Sequence, residues 1–277
     1  AEHSSLWALG YFAALEMSPS DRVVALESLF RSEQGSPLKL FQISVDQLWE
    51  AYVEYAELVG NRSELLLGAD EKWLELASAG SSATPVKSRA LFAMLMLRSQ
   101  DHEVSNRAAA GYMQTFEEVD EAERRLLENL FNHSQTFSNA RNIPAGIRFQ
   151  LVDLALKSVD IEEATRLMSG LDTVPPGTSR FDWQLRRSRV LILGGRYDEG
   201  NLVLQELIAE YLEPQPAATD RILQVLFDIQ TVGLHAQAID HFEHLLRLDI
   251  ELKRRREILY WIGDSYRGLE KYEQSAL

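Results

Sequence analysis

The sequence predicts an all-α fold of stacked antiparallel helical hairpins, and three observations predict it. Apolar residues recur at i, i+3, i+4 and i+7, as at Leu48, Tyr52, Tyr55, Ala56 and Val59, the spacing that gathers them on one helix face. The alternating β-branched runs and Asn-Gly or Asp-Gly turns that a sheet requires do not occur, and only 15 Gly and 8 Pro punctuate 277 residues. In the second half a small residue returns at Ala164, Gly200, Ala238 and Ser275, in steps of 36, 38 and 37 residues, the period of a repeated helical hairpin.

Taken in order, helix starts are marked by hydroxylic or acidic residues ahead of apolar runs: Ser20 with Asp21, Ser44 with Asp46, Asp70 with Glu71, Asp120 with Glu121, and Thr219 with Asp220. Each places a carboxylate where the helix dipole favours it. Between Arg89 and Arg98 lies the longest clean apolar run, Ala90 to Leu97, eight residues against the roughly 18 that span a bilayer. Residues 1–143 read as degenerate hairpins. There Trp49, Tyr52, Gly60 and Asn61 have the character of a first helix, and Ser63 to Gly68 is too short for an ordinary second one. Residues 144–277 read as regular repeats, and the two parts together as one elongated domain. Around the small residues one pattern returns: Ile161 and Ala164 with Met168 and Pro176; Gly195, Tyr197 and Gly200 with Leu204; Gly233 and Ala238 with Phe242; Tyr266 and Tyr272 with Ser275. The repeat that reaches Pro214 puts Gln184 and Arg187 where the pattern is apolar. The sequence stops at Leu277 inside a second helix, and is expected to continue into further repeats or domains, because stacked hairpins need a capping unit.

At these residues the chain resembles the tetratricopeptide-repeat family, whose unit carries Trp, Leu, Gly and Tyr on a first helix and a small residue on the second. Leu259, Ile262, Gly263, Tyr266, Tyr272 and Ser275 match the packed positions of the last unit, with Gly263 as the small residue at the close approach. The resemblance implies a right-handed superhelical solenoid. It also implies that first helices line a concave groove, here Phe149, Asp153, Leu156, Leu185, Arg189, Ile192, Leu223, Phe227, Gln230, Tyr260, Asp264 and Arg267. Tyr260 and Asp264 stand where some members carry a Lys/Asn clamp for a peptide C-terminus, so an amphipathic helix or an internal extended segment is the expected partner.

Catalytic signatures are absent: there is no G-x-S-x-G elbow, no G-x4-G-K-[ST] loop, no strand-linked G-x-G-x-x-G and no H-E-x-x-H. Gly194 and Gly195 read as a hairpin turn rather than a phosphate loop. His235, His241 and His244 with Asp240 make the most metal-like cluster, but their helix is expected to turn them to solvent. Acidic stretches such as Glu117 to Glu121 read as helix starts, and Lys253 to Arg256 as a basic run spread around a helix. Trp49, Trp73 and Phe92 are expected in the core. Asn61 with Ser63 and Asn132 with Ser134 match the glycosylation pattern, which matters only in a eukaryotic secretory route.

Composition narrows the function. With 28 Lys+Arg against 42 Asp+Glu the net charge is −14, against nucleic acid or an anionic membrane as partner. No cysteine is present, which removes disulfides, Cys-ligated metals and thiol nucleophiles. The expected function is a non-catalytic scaffold for a protein or peptide partner, with no cofactor and no metal. The resemblance extends this to bacterial envelope or polysaccharide-export assembly, in the periplasm. Two other readings are the helical superstructure of an enzyme such as a lytic transglycosylase, with its catalytic part outside these residues, and a ligand-sensing groove.

Overall fold

The computed structural model describes residues 17–31, 44–62, 70–80, 83–116, 120–211 and 216–275. These form fourteen α-helices and no strand: α1 (Pro19–Arg31), α2 (Val45–Arg62), α3 (Asp70–Ala79), α4 (Pro85–Arg98), α5 (His102–Gln114), α6 (Glu121–Asn132), α7 (Ala145–Lys157), α8 (Ile161–Met168), α9 (Arg180–Leu193), α10 (Tyr197–Glu210), α11 (Pro216–Thr231), α12 (His235–Leu246), α13 (Leu252–Gly268) and α14 (Tyr272–Ser275). The chain divides into two compact units, Ala1–Leu154 and Ala155–Leu277.

In the first unit α4 is the central helix. Its apolar run is buried on all sides, Ala90, Leu91, Phe92 and Ala93 in succession, because α1, α2, α3 and α5 all pack on it. An aromatic cluster fills the neighbouring space: Trp49 lies edge-on to Phe131 and Phe137 at 5.5 and 5.3 Å, and its indole N–H donates to the Leu130 carbonyl at 3.0 Å. Trp73 packs so closely on α2 that a Cβ at Gly60 would overlap its ring. Into this apolar setting α1 and α4 bring a buried ion pair. The Arg89 guanidinium donates through Nε and Nη2 to the two oxygens of Glu27 at 2.8 and 2.7 Å, and the Tyr52 hydroxyl donates to the same carboxylate at 2.7 Å.

The second unit holds three hairpins, α9/α10, α11/α12 and α13/α14. First helix packs on first helix (α9 on α11), second on second (α10 on α12), and α12 packs on α13. Their core includes Ile192, Leu204, Leu226, Phe242 and Ile258. Gly200 permits the approach of α10 to α9, since a Cβ there would lie 2.6 Å from the Ile192 side chain.

Four turns of this region share one hydrogen-bond pattern. The N–H groups of Asp160, Arg196, Leu234 and Lys271 donate five residues back, to Ala155, Leu191, Ile229 and Tyr266. Those of Val159, Gly195, Gly233 and Glu270 donate three residues back, to Leu156, Ile192, Gln230 and Arg267. The latter four residues have φ of 60, 80, 83 and 59°. This is the left-handed cap that ends a helix and reverses the chain, and it recurs with the sequence period.

Helix starts follow their capping chemistry. Asp101, Asp120, Asp160 and Ser179 accept hydrogen bonds from first-turn N–H groups of α5, α6, α8 and α9. Ser44 precedes α2, and its own N–H is held by the Gln47 side chain at 3.1 Å. The expected start at Thr219 and Asp220 is corrected: α11 begins at Pro216, whose fixed φ suits a first helical position, and Thr219 is buried inside the helix. Leu259 and Tyr272, expected at packed positions, are 56% and 67% exposed, on the last two described helices. The segment Ser63 to Gly68 lies outside the described residues, as do Glu117 and Glu118.

Candidate functional site

Each hairpin of the second unit carries half-buried polar residues along one edge of its first helix. Along α9, α11 and α13 these edges are joined by polar bridges between residues about one repeat apart. Arg189 Nε donates to Asp228 Oδ2 at 2.5 Å, a link of 39 residues. Gln230 Nε2 donates to the Trp261 carbonyl at 3.0 Å and to Ser265 Oγ at 2.5 Å. Burial raises the Asp228 carboxyl above its ordinary value, and the Arg189 charge only partly offsets this.

Beside the bridges runs an aromatic ridge. Phe227 packs at a tilt against Trp261 with centroids 4.7 Å apart, Tyr260 meets Trp261 edge-on at 5.1 Å, and the Arg267 guanidinium lies 5.9 Å from the Tyr260 ring centre. Arg267 also pairs with Asp264 at 2.7 Å, which holds its long side chain along α13. Tyr260 is 61% exposed. The ridge therefore offers an aromatic face flanked by one cation and one anion.

Of the residues expected to line a groove, Tyr260 and Arg267 are exposed, while Arg189, Phe227, Gln230 and Asp264 are half-buried at this edge. Leu185, Ile192 and Leu223 are buried in the core of the second unit, and Phe149 and Leu156 are buried as well. For Leu185 and Leu223 the reason is packing, since α9 and α11 lie side by side, whereas Ile192 faces α10 at Gly200. Asp153, half-buried, belongs to the first unit with Phe149. Trp261 and Asp228 escaped the sequence pattern. The signal that finds them is the period itself, because an aromatic or a countercharge one repeat away becomes a spatial neighbour.

The histidines separate. His241 is buried rather than solvated, with Nε2 3.3 Å from the Asn201 amide oxygen on α10, and burial pushes its imidazole down to about 4. His235 packs where a Cβ on Gly268 would strike its ring. Among the described residues no three His, Cys, Asp or Glu side chains are grouped to hold a metal ion. In the basic run, Arg254 bridges Glu257 and Asp220, while Arg255 donates to the Leu246 carbonyl at 2.9 Å, a cation at the C-terminus of α12. No described helix is long and apolar enough to cross a membrane. Searches against family models, curated proteins and solved structures return no match to this chain.

Proposed function

We propose that the chain is a non-catalytic scaffold, a superhelical solenoid of tetratricopeptide-like hairpins, that binds a partner protein or peptide along the exposed edge of α11 and α13. The observation that carries this reading is the Tyr260 ring, exposed over a packed Phe227–Trp261 base and flanked by Arg267 and Asp264. A rigid aromatic with adjacent charges is the side-chain set that dominates protein interfaces, since it presents a large area at low entropic cost. The sequence resemblance alone supports the bacterial envelope as the setting.

Phe227 supports the ridge from below, so its removal would disturb packing. Tyr260 and Arg267 are the clean probes. Quantitative pull-down from bacterial extract with the 277-residue chain should capture a stoichiometric protein. Tyr260→Ala combined with Arg267→Ala should reduce that capture by about tenfold or more at unchanged helicity. Equal capture by the variant, or no stoichiometric protein with either, would overturn the proposal.

A further inference from the structure

The first regular repeat departs from its neighbours at one place. Its second helix, α8, has 8 residues against 14 in α10 and 12 in α12. Where the helix would continue the chain instead forms a loop, pinned by the Trp183 indole N–H donating to the Leu171 carbonyl at 3.2 Å. The missing turns leave a cavity of about 440 Å³ between this loop, α9 and α10. That volume is within the range of sites for small organic ligands.

Polar side chains enter its walls where the repeat is otherwise apolar. Arg180, Gln184 and Arg187 fall on one stripe of α9, at i, i+4 and i+7. Gln184 is 4% exposed and lines the cavity, yet none of the described residues hydrogen-bonds to its carboxamide. The equivalent residue one repeat later is the buried Ile222. The Gln184 carboxamide opens into the cavity, where a ligand takes the place of water. Arg187 stacks over Trp183 at 5.0 Å and stands 3.9 Å from Asp172 at the cavity rim, too far for a hydrogen bond. From α10 the lining gains the Glu206 carboxylate and Val203.

We propose that this cavity binds a small zwitterion of dipeptide size. Its carboxylate is held by Arg187 and the Gln184 carboxamide, its ammonium by Glu206 and Asp172, and its side chains lie against Val203. Cations on one wall and carboxylates on the others match a ligand carrying both charges and reject one carrying either alone. The site is separate from the Tyr260 edge, so Tyr260→Ala leaves it intact.

The test is calorimetric titration of the whole chain with alanyl-alanine, its N-acetyl derivative and its C-terminal amide. The free dipeptide should bind saturably, and each blocked form about tenfold or more weaker. Gln184→Leu, which restores the apolar repeat residue, and Arg187→Gln should each weaken dipeptide binding by a similar factor. Glu206→Gln, on an exposed side chain, provides the control should either of those variants lose helicity, and should weaken binding likewise. The proposal is overturned by the absence of saturable binding up to about 10 mM, by equal binding of the blocked forms, or by undiminished affinity in the folded variants.

Discussion

His241 shows how a single side chain can couple the second unit to pH. Its imidazole is buried against Asn201, and burial is the main reason its pKa falls to about 4; Asp240 opposes the shift and His244 adds to it. A folded pKa below the unfolded value of about 6.5 means that the unfolded chain binds the extra proton. Stability from this group is therefore complete above pH 6.5 and is lost as pH falls toward 4, by about 3 kcal/mol. Urea unfolding followed through Trp183 and Trp261 should show that loss in the wild type and a flatter acid limb in His241→Gln, which keeps a hydrogen-bonding group without the titration. Parallel acid limbs would mean that His241 is accessible to protons in the folded state. In the first unit the buried Glu27–Arg89 pair offers a separate test of stability. Arg89→Met removes the two-pronged partner of the buried Glu27 carboxylate, leaving it Arg31 at 3.6 Å and the Tyr52 hydroxyl, and should cost roughly 3–5 kcal/mol, read through Trp49 and Trp73, whereas adding Glu27→Leu should recover more than half of it. A single variant within about 1 kcal/mol of wild type would show the pair to be solvated. Nothing in the sequence marks this pair. Glu27 and Arg89 are 62 residues apart and meet only because helices of the irregular first unit bring them together.

The recurring element is the left-handed cap between helices. Gly195 and Gly233 fill it without strain, and a Cβ at either would meet nothing within 4 Å, so the only penalty for a side chain there is conformational. Val159 and Glu270 hold the same geometry with side chains, and for a β-branched residue that is a real cost. Val159 is 77% exposed, so its packing contributes little. Val159→Gly should stabilise the chain by about 0.5–1 kcal/mol and Gly233→Ala should destabilise it by about 1 kcal/mol, both measured by thermal melting. Opposite signs would place the strain elsewhere. This element was legible in advance only through its glycines. Gly195 and Gly233 announce turns, whereas Val159 and Glu270 are silent by residue type and are recovered only from the period. The start of α11 departs from its capping residues for a related reason: Thr219 and Asp220 have capping chemistry, but the helix already runs from Pro216 and buries Thr219.

Across the whole molecule, the helical class and the repeat of the second half were written in periodicity, because each hairpin must present the same buried positions to its neighbours. The exposed edge was only half legible. A helical stripe predicts which residues share a face, but not how much of that face the adjacent helices cover, so Leu185, Ile192 and Leu223 were indistinguishable from Tyr260 until the helices were seen side by side. The departures from periodicity carried more information than the matches. Gln184 and Arg187, out of place in the repeat, line the cavity beside the shortened α8. The identical turns of the second unit have a consequence for how such a protein varies. Inserting one residue within a helix would rotate everything after it by about 100° and break every bridge across the hairpins. Gaining or losing one whole period leaves each surviving bridge in phase, so copy number is the coordinate along which this architecture can change while its chemistry stays the same.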